Sequence, residues 1–122
     1  MARRQPAPPE YWRLKTRYPG FFDAVEALGA AVRQAGPLDA KTTQLVQLGA
    51  AAAIRSEGAV HSHVRRALAA GATAEEIRHA VISITSTIGF PNARAALSWA
   101  VDVLGKKRAS KKSAGRAAIG PR

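Results

Sequence analysis

Along most of the chain the apolar residues recur at helical spacing rather than alternating. Phe21, Val25, Leu28 and Val32 repeat one turn apart and predict a helix over residues 21–34, stopped by Gly36-Pro37. Leu45, Leu48, Gly49, Ala52 and Ala53 predict another over 40–56, introduced by Leu38-Asp39. Its run Ala50 to Ala53 is small on every side, which suits an innermost helix approached closely by several neighbours. After Gly58 a single stripe of Val60, His63, Val64, Ala67 and Leu68 leads to Gly71, a residue fit for a left-handed cap.

Thr73-Ala-Glu-Glu76 has the spacing of a capping box, so the next helix should start at Ala74. Ile77, Ala80, Val81, Ile84 and Ile88 form its inner stripe, and Ile82 lies off that stripe, which implies a second contact surface. Pro91 suits the first turn of a last helix over 92–104, carrying Ala96, Leu97, Ala100, Val101 and Leu104, with Gly105 as its end. Near the start, a short helix over 11–17 precedes a Tyr18-Pro19-Gly20 break. No repeat and no strand pattern emerges. The expectation is an all-α fold, a compact bundle of five or six helices over residues 10–104. A Pro-rich basic arm (1–9) and a basic tail without apolar period (105–122), both disordered, flank it.

With 122 residues, one domain is expected, and a low aromatic content of 6% implies close packing of small side chains. The formal charge of +11 suggests a nucleic-acid partner until it is divided by region. Residues 1–17 carry five basic side chains against Glu10, residues 105–122 carry seven and no acid, and residues 18–104 carry seven of each. Residues 18–104 are therefore neutral. The tail is suited to non-specific, salt-sensitive binding of nucleic acid or acidic partners, although no aromatic residue is interleaved for base stacking. The absence of cysteine removes disulfides, thiolate nucleophiles and thiol redox chemistry. No apolar run approaches the roughly 20 residues of a spanning helix, so no membrane partner and a cytoplasmic location are expected.

The densest group of chemically able side chains is Arg55, Ser56, Glu57, His61, His63, Arg65 and Arg66. His63 has Val60 and Ala67 as helical neighbours and faces the interior, where an imidazole needs a partner. Two readings stand: a neutral ring donating to a backbone carbonyl, or a general acid or base in an internal cavity. Glu57 and His61 are four residues apart and can meet across one turn, as an ordinary surface pair or as a dyad. His61 and His63 lie about 200° apart around a helix and cannot share an ion. A metal would need His79, Gln44 or a carboxylate from another helix to converge, and neither a metal nor any other cofactor is expected.

Four segments in order, Leu38-Asp-Ala-Lys-Thr-Thr-Gln-Leu, Glu57-Gly-Ala-Val-His-Ser-His-Val-Arg-Arg-Ala-Leu, Gly71-Ala-Thr-Ala-Glu-Glu-Ile and Ile88-Gly-Phe-Pro-Asn-Ala, resemble the carboxymuconolactone decarboxylase and alkylhydroperoxidase D superfamily over about residues 20–104. The resemblance implies an all-helical fold assembled into dimers, trimers or hexamers, with the active pocket near subunit contacts. In the redox branch a glutamate precedes Cys-x-x-Cys-x-x-x-His; those positions hold Gln44, Ser56, Ala59 and His63 in this chain, so only the histidine is kept and peroxidase activity is not expected. The decarboxylase branch, which works without cysteine, is matched by His63, Ala67, Gly71, Glu76, Ile77, Gly89 and Pro91. The reading is acid–base, lyase-like chemistry on a small organic acid. His63, Glu57 and His61 are its catalytic candidates, and Arg55, Gln44, Ser56 and Arg65 are the candidates for binding substrate. The alternative is a non-catalytic oligomeric scaffold whose basic tail binds nucleic acid or acidic partners.

Overall fold

The computed structural model describes residues 9–112, with side-chain surroundings through Gly105. In these residues there are six helices and one isolated helical turn, with no strand. The order is α1 (Pro9–Arg17), α2 (Pro19–Gln34), α3 (Ala40–Ala53), α4 (Glu57–Ala69), α5 (Ala74–Ile82), the turn α6 (Thr85–Ile88) and α7 (Phe90–Lys112).

Helices α3, α4, α5 and α7 form the bundle, with α3 against α4, α5 and α7. Leu48, Val60, Val64, Ile77 and Val81 are fully buried at its centre. Ala51, Ala52, Ala67, Ala96 and Ala100 fill the spaces between them and let the helix axes approach closely. Only one edge of the Ala50–Ala53 run is interior, because Ala51 and Ala52 are buried whereas Ala50 and Ala53 are exposed.

Helices α3 and α5 begin as their sequence dictates. The Asp39 carboxylate accepts from the Thr42 amide at 2.8 Å, and Thr73 and Glu76 close the expected capping box at 3.0 and 2.9 Å. Gly71 takes φ +98° beyond α4. Its amide bonds to Leu68 O and that of Ala72 to Ala67 O, which completes a Schellman turn.

Five boundaries differ from the sequence expectation. Pro9 and Pro19 open helices instead of preceding them, since a proline in the first turn sacrifices no bonded amide. The break before α2 thus shrinks to Tyr18. The helix expected to run to Ile88 stops at Ile82, where Ser83 and Thr85 hydroxyls bond back to Ala80 O at 2.9 Å and Ile82 O at 2.8 Å and offer the carbonyls partners outside the helix ladder. The helix expected to end at Ser56 stops at Ala53. Finally, α7 passes through Gly105, at a cost of about 1 kcal/mol for a glycine inside a helix. The tail expected from 105 therefore begins as helix, and 113–122 lie outside the described residues, as do 1–8 of the expected arm.

The largest departure concerns α1 and α2, which pack mainly on each other. Tyr11 stacks edge-on to Phe22 with ring centroids 4.9 Å apart, and its hydroxyl donates to Glu26 Oε2 at 2.6 Å. Phe22 is the one buried side chain of α2. The stripe Phe21, Val25, Leu28 and Val32, legible in the sequence as one apolar face of the helix, is exposed. Among the described residues no helix is long and apolar enough to cross a membrane.

Candidate functional site

The geometry of the candidate cluster originates in the turn between α3 and α4. Arg55 adopts φ 57°, its amide bonds to Ala52 O at 3.1 Å, and the Ser56 amide bonds to Ala51 O at 3.0 Å. This is a second Schellman turn, with an arginine in the position that favours glycine. Ser56 then caps α4 by accepting from the Ala59 amide at 3.3 Å. The reversal lays α4 along α3 and brings His63 opposite Gln44.

His63 Nδ1 lies 2.9 Å from Gln44 Oε1. Gln44 is 4% exposed and is the one polar residue in the buried set, whereas His63 is half-buried. An amide oxygen can only accept, so the ring donates from Nδ1 and keeps a lone pair on Nε2, which has no protein partner among the described residues. Burial pushes the His63 pKa below its ordinary value, and the positive charge of Arg66 adds to that. The ring is neutral at pH 7. Neither of the two sequence readings named this partner; it is a side-chain amide on the adjacent helix.

His61 belongs to a separate cluster. Its Nε2 lies 2.9 Å from Asp102 Oδ2 on α7 and 3.9 Å from Glu57 Oε2 one turn earlier on α4. The two histidines face different helices, as their 200° separation requires. Donor atoms of Glu57, His61 and Asp102 all lie within 4.8 Å of one another, so these three side chains can hold a divalent ion, with water completing its shell. Asp102 is the carboxylate from another helix that such a site needs. Sequence reading missed it, although it is the one acid of the last helix and sits inside the apolar run Ala100 to Leu104.

The arginines divide. Arg55 is exposed and its guanidinium donates to the Asn92 side chain, whose own amide donates to Ile88 O at 2.7 Å, so it braces the start of α7. Arg65 is half-buried. Burial first, and then the like charge of Arg66, lower its pKa from the ordinary value, yet it remains a cation. Among the described residues no carboxylate pairs with it. An open cleft of about 880 Å³ is lined by Pro9, Trp12, Leu14 and Arg17 of α1 and their neighbours; it includes none of the site candidates.

Comparison with known proteins places this arrangement in context. The model of the family described as CMD, the carboxymuconolactone decarboxylase family, matches residues 19–102. An uncharacterized protein of Haemophilus influenzae is 37% identical over 57 residues, which is 47% of this chain and 50% of that protein. The alignment thus spans about half the length of that relative. No solved structure matches the chain.

Proposed function

Because the chain belongs to the carboxymuconolactone decarboxylase family, we propose that it carries out cysteine-independent, lyase-type acid–base chemistry on a small carboxylate-bearing substrate, as a homo-oligomer in the cytoplasm. The observation that carries this reading is the bond from His63 Nδ1 to the buried Gln44 Oε1. It fixes the tautomer and leaves Nε2 as a proton acceptor. The lowered pKa keeps that acceptor unprotonated at neutral pH. The C–C bond to the substrate carboxylate breaks with release of carbon dioxide, the electron pair passes into a conjugated carbonyl of the substrate, and His63 relays a proton from water to the resulting carbanion. Arg66, one turn along α4 and near enough to lower the His63 pKa, supplies charge for the developing enolate.

Glu57 and His61 support this centre only at a distance: with Asp102 they join α4 to α7 on the side of α4 away from His63. Arg55 and Ser56 are committed to the α3–α4 turn, which makes them positioning residues. Thiol peroxidase chemistry is not available to a chain with no cysteine.

The test is proton exchange and turnover of carboxymuconolactone and related lactone acids in heavy water, followed by NMR. Wild-type protein should exchange or release carbon dioxide, and His63→Gln should lose about 100-fold or more while keeping its helical circular dichroism. A wild-type protein inert to every acid of the panel, or a His63→Gln variant of unchanged rate, would overturn the reading.

A further inference from the structure

The cluster between α4 and α7 gathers more negative charge than one imidazole can serve. His61 Nε2 lies 2.9 Å from Asp102 Oδ2 and 3.9 Å from Glu57 Oε2. A ring nitrogen carries either one proton or one lone pair, so a single bond uses it, and that bond goes to Asp102. The Glu57 carboxylate stands beside the pair at more than hydrogen-bond distance. One oxygen of each acid and the His61 nitrogen nevertheless all lie within 4.8 Å of one another. Two carboxylates held this close repel unless a cation joins them.

The three donors are arranged as a chelate. Glu57 and His61 are four residues apart on α4, which sets a carboxylate and an imidazole on one face of the helix. Asp102 comes from a different helix, 41 positions beyond His61, and its place is fixed by Ala100, Val103 and Leu104, which are buried in the core. Two donors about 2.1 Å from one ion stand at most about 4.2 Å apart, so a side-chain shift of less than about 1 Å brings all three into range. Glu57 and Asp102 are 57% and 54% exposed, which gives them the freedom to make that shift and leaves the other coordination positions to water.

The donor set also selects the ion. One neutral imidazole and two carboxylates bring two negative charges, which balance a divalent cation. Imidazole nitrogen suits zinc and the neighbouring transition ions, whereas calcium and magnesium take shells of oxygen and gain little from a ring nitrogen.

We infer that Glu57, His61 and Asp102 bind one zinc-class divalent ion, which ties α4 to α7. The site shares no residue with the pair of His63 and Gln44, so it stands independently of the chemistry proposed above.

The full-length chain, stripped with a chelator, is titrated with zinc chloride by calorimetry, with cobalt chloride as an absorbing substitute. Wild-type protein should take up one ion per chain, and zinc should raise its thermal midpoint while calcium and magnesium at the same concentration do not. His61→Gln and Asp102→Asn should each weaken zinc binding about 10-fold or more. Should either fail to fold, Glu57→Gln, at an exposed position that leaves the bond from His61 to Asp102 in place, should show the same loss. His79→Gln, at an exposed histidine on α5, should bind as the wild type does. No saturable zinc uptake, uptake unchanged in Glu57→Gln and Asp102→Asn, or uptake lost in His63→Gln or His79→Gln instead would overturn the site. A midpoint raised as much by calcium as by zinc would overturn the choice of ion.

Discussion

His61 Nε2 and Asp102 Oδ2 stand 2.9 Å apart and join α4 to α7 across 41 positions of sequence. Both side chains retain access to water, 26% and 54% respectively, so the bond is worth little in isolation. A double-mutant cycle with His61→Gln and Asp102→Asn should give a coupling of about 0.5–1 kcal/mol. Chemical denaturation of the four proteins measures it. A coupling near zero would show that the contact does not hold in solution.

The two Schellman turns make opposite predictions from the same physics. Gly71 has φ +98° and open space where a Cβ would stand, so Gly71→Ala should destabilise by about 1 kcal/mol or more through backbone conformation alone. Arg55 already holds a left-handed conformation at φ 57°, at a cost of about 1–2 kcal/mol. Replacing it by glycine should therefore give a more stable protein than replacing it by alanine, by about 1 kcal/mol. Thermal midpoints of the three variants decide the matter, and equal midpoints for Arg55→Gly and Arg55→Ala would refute the strain.

Acid stability should depend on capping carboxylates. The Thr73 backbone amide and then Lys41 hold the Glu76 pKa below its ordinary value, and the bonds from Thr42 do the same for Asp39. A carboxyl group whose folded pKa is lowered contributes its stability above the ordinary carboxylate range and loses it as pH falls through and below that range. His63 adds an earlier loss: its folded pKa is also lowered, so the unfolded chain takes up that proton first and stability declines below the ordinary histidine range. Stability measured against pH should thus fall in two stages on acidification. Glu76→Gln should weaken the lower stage and His63→Gln should remove the upper one.

Local chemistry was readable in the chain and contacts between distant segments were not. Thr73 and Glu76 lie three residues apart and Gly71 ends a stripe, so the start of α5 and the end of α4 follow from neighbours alone. The stripe of Phe21, Val25, Leu28 and Val32 shows equally well that one face of α2 is apolar, but periodicity carries no information on what covers that face. Ser83 and Thr85 divide α5 from α6 through bonds to nearby carbonyls that compete with helix continuation, and the apolar stripe across them conceals this. At the site, His63 was identifiable from its stripe and from the family resemblance. Its bond to Gln44 spans 19 positions, and that of His61 to Asp102 spans 41. Both depend on how α4 is laid against its neighbours, which only the Arg55 turn and the alanine-lined core determine.

The central claim is that His63 rests neutral, with its proton on Nδ1 and held by Gln44. Nitrogen–proton correlation NMR of the histidine side chains across a pH series tests it directly, with a short histidine peptide as the reference. The expected result is an Nδ1–H tautomer for His63, titrating below the ordinary histidine value and changing its tautomer ratio in Gln44→Leu. An Nε2–H tautomer, or a His63 that titrates at or above the ordinary value, would contradict the account.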